Sequence, residues 1–201
     1  MAEVVGLENL RMTYAACQRC ALARSRAQVV FGRGLPGAPV LLVAERIGKS
    51  DEKVGRPFAG PAGVLFERIL AAPNVEIPRR DVYITNLVLC RTPAGRSPRV
   101  EEIRACQERL HQEILLVEPR LLVILGRLPL QYFLGVRGNL ERHRGWQTWQ
   151  HAAQRRPAYV TFNPASTLYG EPRDIRRKKL LIYEDWQAIA QAYRKLCRRE
   201  P

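Results

Sequence analysis

The sequence predicts an α/β fold: a three-layer α/β/α domain around a small, central, mostly parallel sheet of four strands. Three observations carry this. Short apolar runs bounded by Gly, Pro and polar residues occur four times, amphipathic helical patterns separate them, and 201 residues suffice for one sizeable core. No internal repeat or low-complexity linker interrupts the chain, so residues 1–201 are expected to form one domain.

The first run, "PVLLVAE" (39–45), lies between "GLPGA" and "RIGKSD", and its length and aliphatic content fit a buried strand. "VYITN" (82–86), "LLVIL" (121–125) and residues 159–162 supply the others. The last run stops at Asn163-Pro164. Proline cannot donate to a sheet ladder and pushes the residue before it into an extended conformation. Asn163 is therefore either a turn residue or a side chain displayed at the carboxyl edge of the sheet, where α/β folds place ligands. Helical patterns occupy about 61–71, 99–117, 127–134 and 182–197. In the second, Ile103, Cys106, Leu110, Ile114 and Val117 recur at three- and four-residue spacing, which marks one apolar face. Ser97-Pro98, followed by Glu101 and Glu102, suits its N-terminus. The stretch "EPRDIRRKK" (171–179) reads as a surface loop or helix start.

The charge is lopsided, with 33 Lys plus Arg against 19 Asp plus Glu and a formal net charge of +14. All but five of the basic residues are Arg, whose planar fork suits phosphates and stacks on bases, so a nucleic-acid partner is expected. No apolar run reaches the ~20 residues needed to span a bilayer. The start, "MAEVVGLENLRM", lacks the basic and apolar blocks of a secretion signal, so a cytoplasmic, nucleoid-associated protein is expected.

Five cysteines in such a chain read as metal ligands or catalytic groups before disulfides. Cys17 and Cys20 form a CxxC in a polar stretch, Cys90 follows the second strand, and Cys106 lies on the next helix. Four thiolates suit either a tetrahedral zinc or an iron–sulfur cluster. Against this stands a plain alternative, a core cysteine at 106 beside a zinc hook at 17 and 20. Cys197 has no partner in this pattern.

The strand-end segments "AERIGKSDEKVGRPFAGPAG" (44–63), "YITNLVLCRTPAGRSPRVEEIRAC" (83–106) and "FNPAS" (162–166), with "VVFGRG" (29–34), "LLVILG" (121–126) and the cysteine spacing, run in a fixed order. This set resembles the family 4 uracil-DNA glycosylases, members of the uracil-DNA glycosylase superfamily that carry a [4Fe–4S] cluster. The resemblance covers roughly residues 14–169. It implies a DNA-repair hydrolase that flips a base out of the helix and cleaves its glycosidic bond. It makes Cys17, Cys20, Cys90 and Cys106 the cluster ligands. Phe58 becomes the aromatic on which the flipped base stacks, and Asn86 the reader of the base edge. An Asn amide can accept from uracil N3–H and donate to O4, a pattern that cytosine cannot match. Gly48 joins the substrate-binding set. Ser166 and Leu168 are expected to touch DNA, and Arg173, Arg176, Arg177, Lys178 and Lys179 to contact phosphates.

Two departures from the family pattern fall at the reacting bond. The first motif reads Gly-Glu-(Ala/Gly)-Pro-Gly in the family and Ala44-Glu45-Arg46-Ile47-Gly48 here. The second opens with His-Pro in the family and Asn163-Pro164 here; mismatch-specific relatives carry Asn-Pro-Ser. Glycosidic cleavage leaves an oxocarbenium-like sugar and an anionic base, so it needs one group to stabilise the cation or position water and another to take the leaving charge. Glu45 fits the first task and the Asn163 amide the second. Arg46 is a substrate-side cation that repels a sugar cation but favours an anionic base or a phosphate. The alternative to a uracil-type glycosylase with altered specificity is an impaired relative that binds damaged or single-stranded DNA without cleaving it. A third reading is a zinc-containing nucleic-acid-binding protein of other ancestry.

Overall fold

In the chain's computed structural model, the backbone is described for residues 2–151 and 154–197, and side chains for 6–150 and 155–196. The four expected strands are present as β1 (Val40–Ala44), β2 (Val82–Asn86), β3 (Leu121–Leu125) and β5 (Gln154–Thr161), all parallel to one another where they pair. A fifth strand, β4 (Gly145–His151), adds to the edge antiparallel to β5, giving the order β2-β1-β3-β5-β4. The expected count of four is thus corrected to five. The signal for β4 is weak because its apolar residues, Trp146 and Trp149, sit three apart rather than at the two-residue period of a half-buried strand.

Alternating residues of the strands feed two cores. Val40, Leu42, Ala44, Val82, Ile84, Leu121 and Val123 face α3 (Pro61–Leu70) and α6 (Pro172–Cys197), with Phe66 and Trp186 at the centre of that layer. Leu41, Val43, Tyr83, Leu122 and Ile124 face α4 (Val100–Val117) and α5 (Arg127–Leu134). Every residue of β1, β2 and β3 is buried, as expected for a parallel sheet covered on both sides. Two helices lie outside the sequence expectation, α1 (Ala2–Ala15), which packs on α4, and the short α2 (Lys49–Val54). Helix α6 begins at Pro172, so the basic stretch 171–179 is a helix start. Its anchor is Asp185, whose two oxygens accept from Arg144 Nε and Nη2, each at 2.9 Å, and from the hydroxyls of Tyr159 and Thr161. No helix among the described residues is long and apolar enough to cross a membrane.

The chain leaves β1 to build β2 on one side and β3 on the other, so the carboxyl ends of β1 and β3 flank a topological switch point. Such a point opens a crevice for ligands.

Candidate active site

Three segments converge at that crevice. The first is the turn after β1, the second the loop before α3, and the third the turn after β5. They line a cavity of about 470 Å³ that includes Glu45, Arg46, Gly48, Phe58, Asn163, Ser166 and Leu168. Seven of the site residues expected from the sequence therefore share one space, with Lys49, Asp51 and Tyr169 as additions.

Asp51 ties two of the walls together. One carboxylate oxygen accepts the Gly48 N–H at 2.9 Å and the other accepts the Ala59 N–H at 2.7 Å. A short acidic residue three positions after the Gly that precedes a helix is the readable signal for this. The second wall is built under tight constraints. Phe58 has φ 56°, in the left-handed region that bulky residues avoid. Its ring stands edge-on to Phe66 at 5.3 Å, and Phe66 stands likewise on Trp186. A Cβ on Gly63 would lie 1.8 Å from the Phe58 carbonyl oxygen, so α3 approaches this loop as only glycine allows.

Glu45 and Arg46 are half-buried, with Arg46 Nε 4.0 Å from Glu45 Oε1. Ile47, which replaces the family's proline, is fully buried and its backbone bridges Arg91. In the third wall Asn163 caps a 3₁₀ turn, its Oδ1 accepting the Ala165 N–H at 2.9 Å. The amide nitrogen is the remaining polar group of that side chain, so Asn163 offers the cavity a donor. Ser166 Oγ is buried without a hydrogen-bond partner. Tyr169 is 82% exposed at the rim.

Asn86 does not line the cavity. It ends β2 in register with Ala44, one strand away from the floor, and is 2% exposed. Its Oδ1 is buried without a partner. Beneath it lies a buried polar network whose Arg109, Glu113 and Thr85 are at 0% exposure. Arg109 of α4 donates to Glu113 at 2.6 Å, to Thr85 Oγ1 at 3.1 Å, and to the carbonyls of Asn86 and Leu87 at 2.8 and 3.0 Å. Tyr83 and Thr85 donate to the two oxygens of Glu113. Burial first, then the Glu113 charge, pushes the Tyr83 phenol far up, which keeps it a donor. Burial opposes the Arg109 charge, but Glu113 and Cys106 outweigh it and its pKa is raised.

The expected phosphate contacts sit on the first turns of α6. Arg173, Arg176 and Arg177 are exposed there, and Arg177 is paired with Glu141. Lys178 is half-buried, and Lys179 borders a separate small cavity with Arg68 and Tyr183.

The cysteines come together from three distant segments. Cys20, Cys90 and Cys106 pack around Leu22 and Val88, while Cys17 packs beside Leu89. Arg26 reaches over them, donating to Cys90 Sγ at 3.6 Å and to the Cys17 carbonyl. Burial pushes the Cys90 thiol up to about 11 and raises that of Cys20. Among the described residues, no three Cys, His, Asp or Glu side chains are grouped so that they could hold a metal ion. The side chain of Cys197 lies outside the described residues.

Comparison with known proteins places this architecture. The profile of the Uracil DNA glycosylase superfamily matches residues 31–187. A type-4 uracil-DNA glycosylase of Sulfurisphaera tokodaii is 31% identical over 91% of this chain and 83% of its own. That of Saccharolobus solfataricus is 33% identical over 88% and 81%. A type-5 uracil-DNA glycosylase of Thermus thermophilus is 36% identical over 54% and 55%. The chain belongs to the uracil DNA glycosylase superfamily.

Proposed function

We propose that this protein is a DNA glycosylase that hydrolyses the N-glycosidic bond of uracil in DNA. The observation that carries the reading is the convergence of Glu45, Phe58 and Asn163 from three separate segments on one cavity at the sheet's switch point. A base inside a duplex is out of reach of such a pocket, so the nucleotide is flipped out at the cost of unstacking. The flipped base lies against the Phe58 ring. Asn86 reads its edge once the pocket opens toward β2, because its oxygen, which has no intramolecular donor, lies buried one strand away from the cavity. Glu45 holds the attacking water or faces the developing sugar cation, with the Arg46 guanidinium 4.0 Å away as the nearest cation to its carboxylate. The Asn163 amide donates to the departing base, its carbonyl being engaged by Ala165. This is a neutral donor where the resembling family has histidine. Removing one such donor typically costs ~10²–10³ in rate, which sets the scale of its contribution.

DNA is held by the basic first turns of α6, by Ser166 and Leu168, and by the Tyr169 ring at the rim. Cys17, Cys20, Cys90 and Cys106 are the residues that would hold a [4Fe–4S] cluster. Cys90 is buried, the other three are half-buried beside apolar residues, and the cation of Arg26 at Cys90 favours the thiolate form that such a centre needs. The cluster's contribution would be to pin the N-terminal segment to the β2–α4 loop. The test of the function is incubation with single- and double-stranded oligonucleotides carrying uracil, hypoxanthine, xanthine or 5-modified pyrimidines. Alkali-labile breaks are expected at uracil, and intact strands throughout would reject the reading.

A further inference from the structure

Helix α4 carries both Cys106 and, one turn later, Arg109, whose guanidinium grips the last carbonyls of β2. A buried ion pair adds little net stability over apolar packing of the same volume. This pair nevertheless has a specific geometry. One arm, Nη2, spans the two consecutive carbonyls of Asn86 and Leu87, and the other, Nη1, is held by Glu113 and Thr85. Those carbonyls belong to the residue whose side-chain oxygen is buried and unbonded, and to its neighbour. Leu87 in turn donates its N–H to Ala44 at 2.9 Å, so the same clamp bears on the strand that leads into Glu45.

We infer that Arg109 is a positioning residue for base selection: by fixing the peptide planes of Asn86 and Leu87 it holds the Asn86 amide at the angle that reads the flipped base. The inference rests on the uracil-excision reading above. The unsatisfied buried acceptor of Asn86 costs about 1–3 kcal/mol, which a shift of the β2 end could relieve, and Arg109 opposes that shift by fixing the Asn86 and Leu87 carbonyls from which the side chain projects. No ammonium can do the same work, because a lysine lacks the two-armed fork that spans Glu113 and both carbonyls.

The test compares Arg109→Lys with Tyr83→Phe, which removes a bond to the far side of Glu113 and leaves the carbonyl clamp in place. The readouts are kcat and KM on uracil strands, the ratio of uracil to cytosine release under enzyme excess, and thermal unfolding. Arg109→Lys is expected to lower the uracil-to-cytosine ratio about tenfold or more, the scale of a lost hydrogen bond to a charged group. Tyr83→Phe is expected to lower stability with the ratio unchanged. Should Arg109→Lys fail to fold, Thr85→Val loosens Arg109 Nη1 and is expected to shift the ratio in the same direction. A ratio that stays at the wild-type value in folded Arg109→Lys, or in folded Thr85→Val where the lysine variant cannot be made, overturns this inference alone. A wild-type protein inactive on uracil overturns the reading beneath it and this inference together.

Discussion

Asn163 Oδ1 accepts the backbone N–H of Ala165 at 2.9 Å, and this contact decides what the side chain can do. An amide has one acceptor oxygen and two donor hydrogens on nitrogen. With the oxygen engaged by its own turn, the group presented to the cavity is a donor. The substitutions at 163 separate cap from catalyst. Asn163→Asp keeps the cap and removes the donor, while Asn163→Ala removes both. Both are expected to slow single-turnover uracil release by ~10²–10³, and only Asn163→Ala should also lower thermal stability, by about 1 kcal/mol for the lost cap. Equal stability of the two variants would show that the oxygen is not engaged as described.

The Phe58 loop is held by a close approach that leaves no room for a methyl group. Gly63→Ala would place its Cβ against the Phe58 carbonyl, so the loop or the helix must move. The expected outcome is a loss of about 1–3 kcal/mol in stability from overpacking. KM for uracil DNA should rise with it. Chemical denaturation and steady-state kinetics on the one variant check both.

Tyr169 is the opposite case, a ring that contributes nothing to the core. At 82% exposure its removal should leave the unfolding temperature unchanged. Tyr169→Ala is expected to weaken DNA binding by about 1–3 kcal/mol, the worth of one base stacked on an aromatic ring. Tyr169→Phe should retain it. Fluorescence anisotropy on a strand with a non-cleavable uracil analogue measures this directly.

The start of α4 gives a pH dependence. Glu102 accepts both arms of Arg96, at 2.6 and 2.9 Å, and the Arg99 N–H at 2.8 Å. Chiefly through the Arg96 hydrogen bonds, its pKa is lowered. The folded state therefore binds this proton less readily than the unfolded chain. The stabilisation is fully present above the unfolded value, about 4.3, and is lost as pH falls through the folded one. Glu102→Gln should be less stable at neutral pH and show a shallower decline in urea stability below pH 5.

Much of this was legible in the sequence, and the omissions have physical reasons. β1, β2 and β3 are buried on both faces, so their apolar runs announce them. β4 is a half-exposed edge strand with its two tryptophans out of period. Glu45, Arg46 and Asn163 were readable as motifs because each lies just after a strand, where the fold exposes it, and Phe58 because it sits in the distinctive "GRPFAGPAG" stretch before α3. Asp51 was not singled out because α2, the six-residue helix that its capping signal opens, is too short to show a periodic pattern, and Tyr169 because a tyrosine before a glycine looks ordinary until three segments are brought together. Arg109 was hidden for a different reason. A cation on an amphipathic helix reads as solvated, and only the pairing with Glu113, Thr85 and two carbonyls makes its burial tolerable.

The central claim is hydrolytic removal of uracil, and it is tested most directly by mass spectrometry of a single turnover run in water enriched in heavy oxygen. The account predicts free uracil and an abasic strand that carries one heavy oxygen at the sugar carbon from which the base departed. A uracil-containing strand recovered intact at enzyme excess, with no free base, would contradict it.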